Sequence, residues 1–305
     1  MILLCLTTGM LVLLVIIKYV FQKVCLKRKI RWPDLGIADT WQYEMLTKAY
    51  KIKNESNRKI TITASDGTKL VGHYYERSKK APIIIFFHGL WANTYTNGVP
   101  IYKISEMRGW NLLLVSLRAH DESGGSIATL GVLERYDCYD WANWVASAFG
   151  EQIPIFLMGI SMGGAIVLMS SDLDLPKSVR GIIADAGFTS PLEMIKINSK
   201  ERLHHELWMS MFVMIAYIGI LIWGGVSLKD ANVCASVSKS NLPVLLIHGD
   251  KDTQAPLYMA YRIYNSCQSD KTLYIVHGSG HTECYRTNPE KYTKIISEFI
   301  EKHLL

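Results

Sequence analysis

The sequence predicts an α/β protein whose mostly parallel sheet is covered by helices on both faces. Three observations lead there. From about residue 59 onward, short continuous apolar runs such as Ile83-Ile84-Ile85-Phe86-Phe87 alternate with helical stretches. Unbroken apolar runs of that length are what strands buried on both faces require. Next, Pro154–Met158, then Gly159-Ile160-Ser161-Met162-Gly163-Gly164, then Ala165–Met169 read as strand, sharp turn and helix, with Ser161 at the turn. Lastly, His88, Arg118, Ser161, Asp185, Asp252 and His281 all fall at or just past the end of a predicted strand. In parallel sheets, chemistry collects at the carboxyl ends of the strands.

The chain opens differently. Met1–Ile17 carries no charge, and the apolar character continues past Lys18 through Tyr19-Val20-Phe21. That is long enough to cross a bilayer as a helix, with Lys18 snorkelling at its end. No basic region precedes it and no small-x-small cleavage site follows, so the segment reads as an uncleaved anchor over residues 1–22. Residues 1–31 hold six of the 33 Lys and Arg residues and no acid, which leaves 27 basic against 27 acidic residues in the remainder. All the basic charge near the anchor lies on its C-terminal side. The expectation is a single-pass protein of the cell membrane with its domain in the cytoplasm. The neutral remainder has no basic stripe for nucleic acid. The six cysteines are scattered and form no C-x-x-C pair, as suits free thiols in a reducing compartment.

Residues 23–58 read as a basic juxtamembrane segment and connector, and 59–305 as the domain. Lys59–Ala64 and Lys69–Glu76 are predicted strands joined across the turn Ser65-Asp66-Gly67-Thr68. Pro82–Phe87 is a buried strand and Val99–Met107 a helix. Leu112–Ser116 is the next strand, and Leu130–Phe149 an amphipathic helix whose apolar stripe is crossed by Asp137 and Asp140. The strand and helix around Ser161 follow, then strands Arg180–Asp185, Pro243–His248 and Thr272–Val276, with helices at Leu257–Cys267 and Asn288–His303. Eight strands result.

One insertion, about residues 191–241, interrupts this alternation. It contains Leu207–Leu228, which has no charged residue and is long enough to span a membrane. A crossing there would separate the later strands from Ser161 and prevent the sheet from closing. The segment is therefore expected to form an apolar helical lid over the site, able to touch the bilayer.

A serine hydroxyl becomes a nucleophile only when a base takes its proton, and the base needs a third group to hold its tautomer. G-x-S-x-G places such a serine on a strained strand-to-helix turn, a nucleophile elbow. Beyond it the chain supplies His248-Gly249-Asp250-Lys251-Asp252 and His277-Gly278-Ser279-Gly280-His281, each just after a predicted strand. Asp250, Asp252 and Asp185 are candidate acids, and His277 and His281 candidate bases. Other polar groups suggest less. His204-His205-Glu206 lacks a second histidine at helical spacing for zinc. No Gly-Lys-Ser/Thr follows Gly124-Gly125, so this is not a phosphate loop. Arg118, His120 and Asp121 are expected to brace their own loop.

Taken together, His88-Gly89, Gly159–Gly163, His248-Gly249-x-x-Asp252 and Gly280-His281 resemble the α/β-hydrolase superfamily from about residue 60 to 303. Within it, the chain resembles the serine aminopeptidase and monoacylglycerol-lipase-like group and its bacterial membrane-anchored relatives. It departs from that pattern at Ala255-Pro256 and at Arg118-Ala119-His120-Asp121. The resemblance implies Ser161 as nucleophile, His281 as general base, Asp252 as the orienting carboxylate, and the backbone N–H groups of Leu90 and Met162 as oxyanion hole. It implies no cofactor or metal. The expected activity is hydrolysis of a carboxylic ester on a small-molecule acyl substrate through an acyl-enzyme, with a peptidase or a silent binding scaffold as rival readings.

Overall fold

The computed structural model describes residues 2–27, 32, 39–200 and 205–304; Arg28, Lys29, Arg31 and His204 lie outside the described residues. In chain order the elements begin with α1 (Ile2–Cys25), α2 (Thr40–Asn54), β1 (Arg58–Thr63), β2 (Lys69–Tyr75) and β3 (Ile83–Phe87). Then come α3 (Thr94–Arg108), β4 (Asn111–Ser116), α4 (Glu134–Phe149), β5 (Ile155–Ile160), α5 (Met162–Met169) and β6 (Val179–Asp185). The insertion supplies α6 (Pro191–Lys200), α7 (Glu206–Gly219), which runs on as a π-helical turn Ile220–Gly224, and α8 (Val233–Val237). The chain closes with β7 (Val244–Gly249), α9 (Leu257–Ser266), β8 (Lys271–Val276), α10 (Cys284–Thr287) and α11 (Pro289–Lys302).

The sheet has eight strands in the order β1-β2-β4-β3-β5-β6-β7-β8. β2 pairs antiparallel with both neighbours, and every other pair is parallel. Strands β3, β4 and β5 are buried along their whole length, which explains their unbroken apolar runs. Two core layers sandwich the sheet, one containing Trp141 and the α5 side chains, the other Phe86, Tyr292 and Phe299.

Two helix starts differ from the sequence expectation, each because a side chain takes over backbone N–H groups. α3 starts at Thr94, five residues early, because the Asn93 carboxamide oxygen accepts from Tyr95 N (2.9 Å) and Thr96 N (3.3 Å). The helix then runs through Pro100. α4 starts at Glu134 and not Leu130. The Glu134 carboxylate accepts from Thr129 N (2.7 Å), Thr129 Oγ1 (2.6 Å) and Gly131 N (2.8 Å), which folds residues 129–133 into a turn. The acids on the α4 stripe have partners as well. Asp137 accepts from Arg118 Nε at 2.7 Å, and Asp140 from Ser65 N at 2.8 Å.

The largest departure concerns the two apolar segments. The last turns of α1 are part of the hydrophobic core: Phe21 and Cys25 are 4 % and 0 % exposed. Ala128 N donates to Cys25 O (2.8 Å) and Lys27 N to Ser126 O (2.8 Å), so the chain leaves α1 stitched to the loop before α4. α7 lies against this same stretch. A Cβ at Gly219 would stand 2.9 Å from Phe21 Cβ and 3.2 Å from Ile17 O, a close helix contact that glycine permits. Leu207–Leu228 therefore packs beside α1, and the part of the insertion that faces Ser161 is α6. Residues 7–16 of α1 are exposed, as are Leu207, Trp208, Met214, Leu221 and Ile222 on or just after α7.

Because Phe21 is enclosed by the domain, Phe21→Ala should lower folding stability by about 3–5 kcal/mol, the usual range for emptying a buried phenylalanine site. Val12→Ala, on the exposed part of the same helix, should change it by less than about 0.5 kcal/mol. Thermal melts of the two variants in one detergent make the comparison.

Candidate active site

The turn after β5 is built by exclusion. A Cβ on Gly159 would lie 2.1 Å from Gly163 O, and one on Gly163 would lie 1.9 Å from Phe87 O, so neither position admits a side chain. With α5 pressed this closely onto β5 and β3, the residue between has no relaxed path. Ser161 takes φ 54 and ψ −117, an unusual conformation for an L-residue. Ser161 N donates to Asp185 O (2.8 Å) and Ala165 N to Ser161 O (3.0 Å), which ties the turn to β6 and to α5.

Beyond Ser161, the structure brings together residues far apart in sequence. Ser161 Oγ lies 2.9 Å from His281 Nε2, and His281 Nδ1 lies 2.7 Å from Asp252 Oδ2. Asp252 is buried, and its Oδ1 accepts from Gln254 N (2.9 Å) and Ala255 N (2.7 Å). Those amides leave Oδ2 aimed at the imidazole. A hydroxyl that donates to Nε2 fits the tautomer with its proton on Nδ1, the one a carboxylate at Oδ2 favours.

The other candidate acids are held elsewhere. Asp250 accepts from His277 Nδ1 (3.0 Å) and Gly278 N (2.8 Å) at the surface. Asp185 is buried and accepts from Tyr292 Oη at 2.9 Å, and burial pushes its carboxyl up to about 6. His277 is exposed on the far side of its turn and does not reach Ser161. His205 caps α7, its Nδ1 accepting from Leu207 N at 3.3 Å. Among the described residues no group of three His, Cys, Asp or Glu side chains could hold a metal ion.

Facing Ser161 is the loop after β3. Among the described residues, the N–H groups of Leu90 and Met162 donate to no protein acceptor, and both residues line the cavity over Ser161. Their neighbours are fixed. Gly89 N donates to Asn97 Oδ1 (3.0 Å) and Trp91 N to His120 Nε2 (3.0 Å). His88 accepts from Leu117 N through Nε2 (3.1 Å) and donates from Nδ1 to Gly89 O (2.8 Å). His88 is therefore the neutral Nδ1–H tautomer, and complete burial, with His120 beside it, holds it down at about 3. The loop of Arg118 and His120, expected to brace itself, also braces this one. Arg118 pairs with Asp137 and Asp66, and the His120 ring stacks on Trp91.

The cavity over Ser161 has a volume of about 410 Å³. Its walls are mostly apolar: Leu90, Leu130, Phe188, Met194 and Ile195, with Val24 contributed by α1. Val24 and Asn97 had no sequence signal. The first lies in the stretch read as a basic juxtamembrane connector, just past the expected anchor, and the second precedes the expected start of α3.

Comparison with known proteins agrees with this fold. Residues 82–214 match the alpha/beta hydrolase fold family, and residues 207–304 match the family described as Phospholipase/Carboxylesterase. The chain is 24 % identical to the uncharacterised protein YqkD of Bacillus subtilis (strain 168), over 79 % of this chain and 78 % of YqkD. It is 23 % identical to lysophosphatidylserine lipase ABHD12 of Danio rerio, over 66 % of this chain and only 51 % of that protein. Among solved structures, the Pyrococcus furiosus esterase Pf2001 superposes with a TM-score of 0.67 at 21 % identity, covering 91 % of this chain and 99 % of the esterase. On sheet order, elbow geometry and these matches, the chain belongs to the α/β-hydrolase superfamily.

Proposed function

We propose that this protein is a membrane-attached carboxylic ester hydrolase that works through Ser161, His281 and Asp252. The observation that carries the reading is the unbroken chain of contacts from Ser161 Oγ to His281 Nε2 (2.9 Å) and from His281 Nδ1 to Asp252 Oδ2 (2.7 Å), set on a strained elbow. The Phospholipase/Carboxylesterase match, the esterase likeness and the lipase relative support an ester as substrate. The apolar cavity over Ser161 suits the acyl half.

Each step follows from a group already described. Ser161 Oγ attacks the ester carbonyl while its proton passes to His281 Nε2. Asp252 holds the ring and stabilises the imidazolium that forms. The carbonyl oxygen, now an anion, accepts from the N–H groups of Leu90 and Met162. Each such donor contributes roughly 3–4 kcal/mol to the transition state. His281 then gives its proton to the departing alcohol oxygen, which leaves an acyl group on Ser161. Water repeats the sequence and frees the acid.

The exposed apolar turns of α1 and the bare face of α7 support attachment to a bilayer, because both helices are long and apolar enough to enter one. In this reading α1 is the anchor, its last turns belong to the domain, and α7 lies against the membrane without carrying the later strands across it. Lys18, Lys23 and Lys27 on the domain side support a cytoplasmic orientation.

Ser161→Ala should leave the fold intact and lower kcat by at least about 10⁴-fold on p-nitrophenyl esters. Asp252→Asn should lower it by roughly 10³–10⁴-fold, and Asp250→Asn by less than about twofold. A panel of aminoacyl amides run beside the esters should show no comparable turnover.

A second prediction concerns acid. His88 is neutral in the fold down to about 3, against an ordinary value of 6.5. The unfolded chain therefore binds this proton first, and stability present above pH 6.5 is lost as pH falls toward 3. In His88→Gln the slope of melting temperature against pH below 6.5 should be shallower, whatever the variant's stability at pH 8.

A further inference from the structure

α6 stands between two spaces. Met194, Ile195 and Asn198 line the cavity over Ser161. Leu192 and Lys196, four residues apart on another face of the helix, line a separate open groove of about 330 Å³ against α7. One helix thus divides the groove from the cavity of the proposed reaction.

The groove is amphiphilic. α7 supplies Val213, Met214 and the Tyr217 ring as apolar wall, with Ser210 beside them. Lys196 enters from α6 and Lys229 from the short turn Leu228–Asp230. Lys229 stands by Tyr217, its Nζ 5.8 Å from the ring centroid, and Tyr217 Oη is hydrogen-bonded to Ser227 Oγ (3.1 Å) at the start of that turn. Among the described residues, two ammonium groups and no carboxylate line this space. Glu193, Glu206 and Asp230 lie outside it. Glu193 accepts from Arg262 Nη1 (3.1 Å) and Tyr258 Oη (2.8 Å) and so is held by α9. Glu206 meets Lys196 only as an exposed ion pair at 3.6 Å, of a kind that contributes little.

Position and charge together name the occupant. Met214 lines the groove and is 55 % exposed, and Leu207 and Met211 continue the same bare stripe of α7 toward its start. This stripe is the face read above as lying against a bilayer. A groove at that border meets what a bilayer surface presents, a polar headgroup above acyl chains. Two lysines without a carboxylate select a negative headgroup, because phosphate oxygens accept charge-assisted bonds from ammonium groups. A free anion would use the lysines and leave Leu192, Val213 and Met214 uncovered.

We propose that the groove between α6 and α7 is a binding site for an anionic phospholipid of the surrounding bilayer, its phosphate recognised by Lys196 and Lys229 and its chains lying along Met214 and the bare face of α7. The site is separate from the cavity over Ser161. It rests on the reading that α7 lies against a bilayer and not on the reaction.

The test titrates full-length protein in a neutral detergent with dialkyl-ether phosphatidylglycerol and with dialkyl-ether phosphatidylcholine, and counts bound lipid by native mass spectrometry. Ether lipids offer no ester to cleave. Wild-type protein should bind the anionic lipid with an apparent Kd at least about tenfold lower than the zwitterionic one. Lys196→Gln combined with Lys229→Gln should bring the two lipids within about twofold of each other, and the two Lys→Arg changes together should keep the preference. Lys18→Gln with Lys23→Gln, which removes as much charge from α1, should leave the preference in place. Millimolar inorganic phosphate should not abolish it. If melting curves show the double glutamine variant unfolded, each single variant carries the comparison, with a loss of about threefold expected. No preference in wild-type protein, a preference unchanged by the glutamine variants, an equal loss in the α1 pair, or abolition by inorganic phosphate overturns the inference. Turnover of p-nitrophenyl esters reports on the hydrolase reading separately, and none of these outcomes bears on it.

Discussion

At Ser161 the backbone is forced to φ 54, and the arrangement around it depends on keeping that turn closed. Such strain costs on the order of 1–3 kcal/mol and persists only where the surroundings over-determine it. Here the surroundings are the sheet itself. Gly163 packs on Phe87 O of β3, Gly159 packs on Gly163 O, and Ser161 N is taken by Asp185 O of β6. The central strands thus hold the hydroxyl clear of the sheet and leave the first N–H of α5 facing the same space. The N–H of Leu90 arrives from the opposite side on a loop fixed by Asn97, His88 and His120. His281 and Asp252 follow β8 and β7, two strands whose parallel pairing sets their loops side by side.

Around this centre the cavity walls come from outside the sheet. α1 contributes Val24 to the cavity over Ser161 and α2 contributes Trp41, Gln42 and Met45 to a second cavity that borders His281, although both helices precede the first strand. The N-terminal fifth of the chain is therefore part of the site's shape and, in the function proposed above, also the link to a bilayer. The contact of α7 with α1 at Gly219 joins the insertion and α1 into one apolar unit, with α6 as the part that lines the cavity over Ser161. An acyl chain lodged between Val24 and Met194 would lie next to the helices that carry the exposed apolar surface.

The strands were legible because burial on both faces leaves no choice of residue: Ile83–Phe87 and Leu112–Ser116 read directly as β3 and most of β4. Gly159, Ser161 and Gly163 were legible for a steric reason, and Asp252 and His281 because they follow strands in the right order. Choosing Asp252 over Asp250 needed the resemblance, since both lie in one turn; in the fold the amides of Gln254 and Ala255 hold the first and His277 holds the second. Helix starts were missed where long side chains, Asn93 and Glu134, captured backbone groups that periodicity does not register. The docking of α1 was missed for a different reason. An apolar helix that enters a bilayer and one that enters a core carry the same residues, and only the contacts of Phe21 and Cys25 tell them apart.

The central claim is that Ser161 carries the acyl group between two half-reactions. Rapid acid quench of the protein during turnover of a p-nitrophenyl ester, followed by peptide mass spectrometry, tests it most directly. The account predicts an acyl adduct on the peptide containing Ser161, formed with the burst of p-nitrophenol and absent from Ser161→Ala. Steady hydrolysis with no adduct at any time, or an adduct on another residue with Ser161 unmodified, would contradict it.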